Sequence, residues 1–372
     1  MVGKLNNLES EARAARREKG TVPSMTRGRP PRDRIYARLT DAIGDLNSRL
    51  GGLPTPSEAE GIWADLWHQE AHHSTAIEGN TLVLNQVRKL LDQGLAVGAK
   101  ELREYMEVQG YADAAQWVYQ QARDPGGRGD DTLVTMNEVR EAHYRAMTPV
   151  WGVAPHPDAS DKESPGKFRE HDIRSFPGGM TPPSWVDVGP QMQDWLDFVV
   201  TIPTDTSRPL PELLADLHNR FERIHPFLDG NGRTGRLVLN LVLIRLGYPP
   251  AIIFKRDRAK YLKAMDRADG GDFGPLAELI ARSVTDNLHR FVVPAVAGPA
   301  RLVPLASLAS ETVSVVALRA AAERGRLRAD KQADGTWRSS KKWVDEYLAS
   351  RHKRSSTKRS ETDVVAQSRP SP

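Results

Sequence analysis

The sequence predicts a mainly α-helical fold carrying one short β-hairpin and ending in a small winged helix-turn-helix. Three observations predict it: apolar residues recur at helical spacing along most of the chain, Pro and Gly breaks separate these stretches, and one stretch near residue 240 is apolar on nearly every side. A chain of 372 residues with 39% hydrophobic and 27% charged content can bury a sizeable core, and its length suggests about two to three domains.

The opening residues, including TRGRPPRDR, hold few large apolar side chains and read as a basic flexible arm over 1–38. Helix signals begin near Ile35. From Ser57 to Ala76, Ile62 and Leu66 with Trp63 and Trp67 follow the start signal Thr55-Pro56-Ser57, and Glu78-Gly79-Asn80 ends that helix. Further amphipathic segments run over Leu82 to Leu95, Gly98 to Arg123, Thr135 to Met147 and Val188 to Ile202. Between them, SPGKFREHDIRSFPGGMTPPSWVDV (Ser164 to Val188) mixes alternation with Gly and Pro, the texture of a surface hairpin. Leu210, Leu213, Leu214, Leu217, Phe221 and Ile224 form one stripe that stops at His225-Pro226, because proline disfavours helical geometry in the residue before it. Thr234 to Leu246 is apolar nearly all round and is expected at the centre of the core, with Gly247 and Pro249-Pro250 ending it.

After Gly298-Pro299 the texture changes. Pro304 to Ala309 and Val313 to Glu323 read as two short helices, followed by strand-like Leu327 to Ala329, a turn ending at Gly335, Trp337-Arg338, and a helix from Lys341 to Ala349. That order predicts a winged helix-turn-helix over 299–351, a main domain over 39–298 and a disordered Ser-, Lys- and Arg-rich tail over 352–372.

The net charge of +4 hides basic ends: residues 1–38 carry +6 and 301–372 carry +7, around a middle of −9. Such ends suit a polyanion, although charge runs are also ordinary solvated faces. The absence of cysteine excludes a disulfide framework, a thiol nucleophile and a thiolate zinc site. No apolar run approaches the ~18 residues of a membrane span, and the start MVGKLNNLES has no signal-peptide core, so a soluble cytoplasmic protein without membrane contact is expected.

The chemistry concentrates in His225-Pro226-Phe227-Leu228-Asp229-Gly230-Asn231-Gly232-Arg233-Thr234-Gly235-Arg236. Two helices meet there through a glycine-rich loop, so backbone N–H groups and the positive end of a helix dipole converge on one anion site. Arg233, Arg236 and Asn240 share a helix face above it, a pair of guanidinium forks suited to polyphosphate. Asp229 can supply the hard oxygen that Mg²⁺ takes beside phosphate oxygens, and His225 is the group able to accept a hydroxyl proton near neutral pH. His68, Glu70 and His72 look superficially like a zinc set, but Glu70 at i+2 faces away and no third ligand follows.

The loop resembles the signature of the Fic (filamentation induced by cAMP) family, His-Pro-Phe-x-[Asp/Glu]-Gly-Asn-Gly-Arg-x-x-Arg, at every specified position. The resemblance implies an all-α Fic fold with a hairpin flap and transfer of AMP from ATP to a Ser, Thr or Tyr hydroxyl of a target protein or of the chain itself. By position, His225 would be the general base, Asp229 would bind Mg²⁺, Gly230, Asn231 and Gly232 would cradle phosphates by their backbone, and Arg233 and Arg236 would hold the β and γ phosphates. Gly235 and Asn240 belong to the same expected nucleotide site, Phe227 would anchor the loop, and Tyr261 falls where the family lines its adenine pocket. Glycine at 232, where the related Doc kinases carry lysine, favours nucleotidyl over phosphoryl transfer. The hairpin near Gly166 to Gly179 looks like the Fic flap, which would hold the target by strand addition.

Ser74-Thr75-Ala76-Ile77-Glu78-Gly79 is similar to the family's inhibitory motif, so Glu78, one turn from Ser74 at a helix end, is expected to pair with Arg236 and restrain the enzyme. Residues 301–350 resemble excisionase or MerR-type modules, with Arg319 and Arg324 outward on a recognition helix and Arg326, Arg328, Lys331 and Arg338 on the wing; DNA and a docked protein are both open as its partner. Beside the AMP transferase stand a DNA-binding regulator whose core is self-modifying or nucleotide-sensing, and an enzyme that removes AMP. A homodimer is compatible with each.

Overall fold

Helix α1 (Arg32–Leu50) opens the part of the chain described by a computed structural model, which covers residues 30–54, 60–123, 132–174, 180–297, 302–332 and 335–350. Its Ile35, Tyr36, Leu39, Ile43 and Leu46 are buried at helical spacing, so the expected arm over 1–38 is too long: residues 32–38 belong to a packed helix, and residues 1–29 lie outside the described residues. Helices α2 (Glu60–Ile77), α3 (Leu84–Gln93), α4 (Leu102–Arg123) and α5 (Met136–Trp151) follow. The start of α5 is a capping box, in which the Glu138 backbone N–H donates to Thr135 Oγ1 at 3.2 Å and the Thr135 N–H to Glu138 Oε2 at 2.9 Å. Helices α4 and α5 approach closely at Gly110, where an added Cβ would lie 2.4 Å from the Ala146 carbonyl oxygen.

Helices α6 (Trp185–Thr201) and α7 (Leu210–Ile224) lead to the central helix α8 (Asn231–Arg245). As its all-round apolar pattern requires, Leu237, Val238, Leu239, Leu241, Val242, Leu243 and Ile244 are each at most 1% exposed, and α8 packs against α2, α4, α5 and α7. Its far end is fixed by Arg245, whose Nη2 donates to buried Glu138 at 2.5 Å. Two helices that sequence reading left unassigned, α9 (Arg258–Asp269) and α10 (Gly274–Asn287), close the bundle and are followed by a π turn at Leu288–Val292 and the short α11 (Val293–Val296).

The expected hairpin takes another form. Residues 164–174 and 180–184 contain no strand, and the tip at 175–179 lies outside the described residues. Pro182 and Pro183 remove two ladder donors, and the segment is tied down instead by Arg169, whose guanidinium donates to the carbonyls of His225 (2.9 Å), His171 (3.0 Å) and Pro183 (2.6 Å).

The only sheet among the described residues lies at the C-terminal end. Strands β1 (Val303–Pro304), β2 (Asp330–Lys331) and β3 (Trp337–Ser339) pair antiparallel in the order β1-β3-β2. With α12 (Val315–Glu323) and a helix over 341–350 they enclose a separate small core of Leu305, Val313, Leu318, Ala321, Ala322, Leu327 and Val344. The first expected helix of this module is a single 3-10 turn, Leu305–Leu308, bounded by extended Pro304 and Ala309. Arg338, expected on the outer wing, instead has a 13% exposed side chain that pairs with Asp45 of α1. Residues 351–372 lie outside the described residues.

Candidate active site

Helix α7 ends at Ile224 because His225 turns into the left-handed region, φ 49° and ψ 59°, the one non-glycine residue with positive φ among those described. Such a conformation costs a β-substituted residue ~1 kcal/mol or more and persists only where its surroundings hold it. Here the His225 N–H donates to Phe221 O at 3.2 Å, Arg169 Nε holds the His225 carbonyl, and the Arg169 N–H donates to Pro226 O at 2.9 Å. The side chain sets Nδ1 3.2 Å from Glu222 O, which selects the tautomer with its proton on Nδ1 and its lone pair on Nε2. Burial pulls its pKa down to about 4 against that hydrogen bond, so the imidazole is neutral at physiological pH.

Asn231 staples the loop in both directions, accepting from the Phe227 N–H at 2.9 Å and donating to Phe227 O at 2.8 Å. The Phe227 ring is fully buried and stacks on His143 at 3.7 Å. His143 accepts from the Gly166 N–H at Nδ1 (2.7 Å), so Nε2 carries the proton and donates to Asp229 O at 2.9 Å. One imidazole therefore joins the base of the flap to the loop. His143 and Arg169 were both missed in the sequence, where neither carries a local signal: their partners lie 86 and 56 residues away.

α8 begins at Asn231, three residues before the expected start, which brings Arg233 into the first turn, where N–H groups have no intrahelical acceptor. Gly230 has φ 80° and a Cβ there would meet Met147 Sδ at 2.5 Å, so only glycine fits. Asp229 Oδ1 accepts from the Gly230 N–H at 2.6 Å and Arg233 Nη2 at 3.1 Å, and Arg103 stands 3.9 Å from Oδ2. Burial alone would raise the Asp229 pKa, but Arg233, the Gly230 N–H and Arg103 together hold it below the usual carboxylate range. Arg233 is 4% exposed and its Nε has no partner among the described residues, leaving a donor for an incoming oxyanion.

The end of α2 fills the other side. Arg236 donates from Nε to Ser74 Oγ at 2.7 Å, and from Nη2 to Ser74 O at 3.1 Å and Glu78 Oε1 at 2.7 Å. The expected pairing of Glu78 with Arg236 is thus present. Gly79, at φ 110°, lets the chain turn away directly after Glu78. A Cβ on Gly232 would lie 2.5 Å from Glu78 Oε1, so glycine at 232 also makes room for this carboxylate. Burial disfavours both charges, yet the pair outweighs it: Glu78 is held below its ordinary pKa and Arg236 above its own.

Three residues expected at the nucleotide site are engaged by the protein itself. Asn240 is fully buried, donating to Glu70 Oε1 and accepting from the Ala251 N–H, each at 2.8 Å; its face of α8 is covered by α2. Tyr261 is 3% exposed and its hydroxyl meets His218 Nε2 at 2.7 Å, which places it in the core behind Arg236 instead of along an open pocket. Gly235 serves packing, since a Cβ would lie 2.3 Å from Glu222 Oε1 on α7. Glu70 accepts from Tyr111 (2.9 Å), Tyr119 (2.7 Å) and Asn240, which fixes α2 on α4 and α8. No group of three or more potential metal ligands occurs among the described residues.

Residues 133–243 match the Fic/DOC family. Curated relatives include the protein adenylyltransferase Fic of Drosophila willistoni, 32% identical over 254 residues, and that of Nematostella vectensis, 29% identical over 294. These alignments take in 67% and 77% of this chain, which spans only 47% and 61% of those two proteins. Among solved structures, Fic-1 (residues 134–508) of Caenorhabditis elegans superimposes with a TM-score of 0.56 at 27% identity, covering 70% of this chain and 71% of that one. Residues 133–243, with the loop and its supports, are therefore a Fic domain of the Fic/DOC family.

Proposed function

We propose that the chain is a protein adenylyltransferase that moves AMP from ATP to a hydroxyl of a target protein, restrained by its own Glu78. The observation that carries this reading is the convergence on one buried loop of a neutral His225, an ionised Asp229 and two arginines. His225 Nε2 takes the proton of the acceptor hydroxyl, whose oxygen bonds to the α phosphorus as the bond from that phosphorus to the oxygen bridging to the β phosphate breaks; pyrophosphate leaves. Arg233 and the first N–H groups of α8 hold the phosphates in line. Asp229 suits Mg²⁺, because it stays ionised and its Oδ2 faces Arg103 only at 3.9 Å. Held by Asp229, Mg²⁺ would supply positive charge against the triphosphate.

Glu78 opposes this by occupying Arg236, the group that would hold the γ phosphate. A cytoplasmic setting, with its ATP and Mg²⁺, goes with the same reading. α-Labelled ATP should label a hydroxyl-bearing protein in a cell lysate, or the chain itself, when Glu78→Gly is used, while γ-labelled ATP should not. Label from the γ position instead would make the enzyme a kinase and end this reading.

Glu78 also favours a second activity: a carboxylate beside the phosphate site could activate water to remove AMP, in which case Glu78→Gly would abolish release from a modified target. For the C-terminal module, exposed Arg324, Arg326, Arg328 and Lys331 support contact with DNA phosphates, and a binding constant that falls steeply with salt would test it.

A further inference from the structure

The hydrogen bonds that Arg236 makes to Ser74 Oγ, Ser74 O and Glu78 Oε1 all run to the end of α2. Its side chain is only 5% exposed, so water can replace little of what it loses when Glu78 withdraws. A buried cation keeps its place only while acceptors face it.

A second element supplies one. Tyr261 of α9 is 3% exposed, and its hydroxyl meets His218 Nε2 of α7 at 2.7 Å. The Arg236 guanidinium is the hydrogen-bond donor on the other side of that oxygen. Because a guanidinium carries no acceptor, the oxygen receives from it and gives its own proton to His218 Nε2. His218 is able to take that bond: burial, and then the charge of Arg236, pull its pKa down to about 3, so the ring is neutral and holds its proton on Nδ1. Burial also holds the Tyr261 hydroxyl above its ordinary pKa, so its proton stays on. Glu222, which acts on Arg236 as well, keeps its proton up to about pH 8 and brings no carboxylate to replace Glu78 near neutral pH.

We infer that Tyr261, oriented by His218, is a positioning residue that keeps the Arg236 guanidinium aimed at the γ phosphate once Glu78 has left. The pair belongs to α7 and α9, so a movement of the end of α2 does not carry it away. The γ-phosphate site is then formed before the nucleotide arrives, and less ordering is left for binding to accomplish. The inference rests on the proposed reading of Arg236 as the group that holds the γ phosphate. It gives Tyr261 a duty at the phosphate end of the nucleotide and not at the base.

Calorimetry on the full chain in a Glu78→Gly background, with no acceptor protein present, measures this apart from AMP transfer. Tyr261→Phe should weaken ATP about tenfold and leave AMP, which has no γ phosphate, within about twofold. His218→Leu should reproduce part of the loss, and His218→Gln, which keeps an acceptor for the hydroxyl, should restore it. Arg236→Ala is the reference and should remove the preference for ATP over AMP. Equal weakening of ATP and AMP by Tyr261→Phe would assign the ring to the base or to packing alone and overturn the inference. So would an ATP affinity that survives Tyr261→Phe but not Arg236→Ala. An ATP affinity untouched by Arg236→Ala would overturn the reading of Arg236 itself, and the inference with it.

Discussion

The loop His225–Arg236 and the end of α2 meet at Arg236, and they are held in opposite ways. Everything that shapes the loop is buried and locally redundant: Asn231 bonds Phe227 twice, His143 stacks beneath it, and Arg169 clamps the strained His225. Glu78 rests on one ion pair and is 40% exposed, while the arginine it meets is 5% exposed. On the proposed reading, one half keeps its geometry when its partner leaves and the other leaves, since a partly solvated carboxylate gives up its pairing at lower cost than a buried one.

The sharpest way to break that contrast is to remove the base. In a Glu78→Gly background, His225→Ala should cut AMP transfer by roughly 10²- to 10⁴-fold, with ATP binding retained by calorimetry. Removing the restraint alone should act in the other direction: Glu78→Gly should raise transfer by on the order of tenfold or more, read from initial rates of label incorporation. Breaking the staple should damage stability and activity together, because Asn231→Ala strands a buried N–H and a buried carbonyl of Phe227; urea unfolding should show a loss of about 2 kcal/mol.

Two smaller effects depend on pH. Glu222 is half-buried beside the loop, its Oε1 enclosed and unpartnered among the described residues, and desolvation raises its pKa to about 8 despite Arg236. Since its folded value lies above its unfolded one, its contribution to stability is lost as pH rises from about 5 to 8, and Glu222→Gln should recover on the order of 1 kcal/mol at pH 8 but nothing below pH 5. His225, neutral above about pH 4, should leave the rate of Glu78→Gly flat between about pH 6 and 8. Acid should not free the restrained enzyme first, because Glu78 is itself held below the usual carboxylate range.

How far the sequence could be read follows the same division. The loop was legible as a turn between two helices, because its motif is concentrated within twelve consecutive positions. The Glu78–Arg236 contact was legible through two motifs although 158 residues separate them. The burial of Asn240 and Tyr261 was not legible, for a physical reason: helical spacing tells which residues share a face, not whether another helix covers it, and α2 and the core cover these two. The flap was read as a hairpin from its alternation, where a buried arginine supplies the bonds a strand would have made.

The most direct measurement compares wild type, Glu78→Gly and Glu78→Gly/His225→Ala for protein-bound label from α-labelled ATP with Mg²⁺, in the presence of cell lysate. Label that is low in wild type, high in Glu78→Gly and absent in the double variant is the expected result. Equal label in wild type and Glu78→Gly, or label that survives His225→Ala, would contradict the assignment of Glu78 as the detachable restraint and His225 as the base.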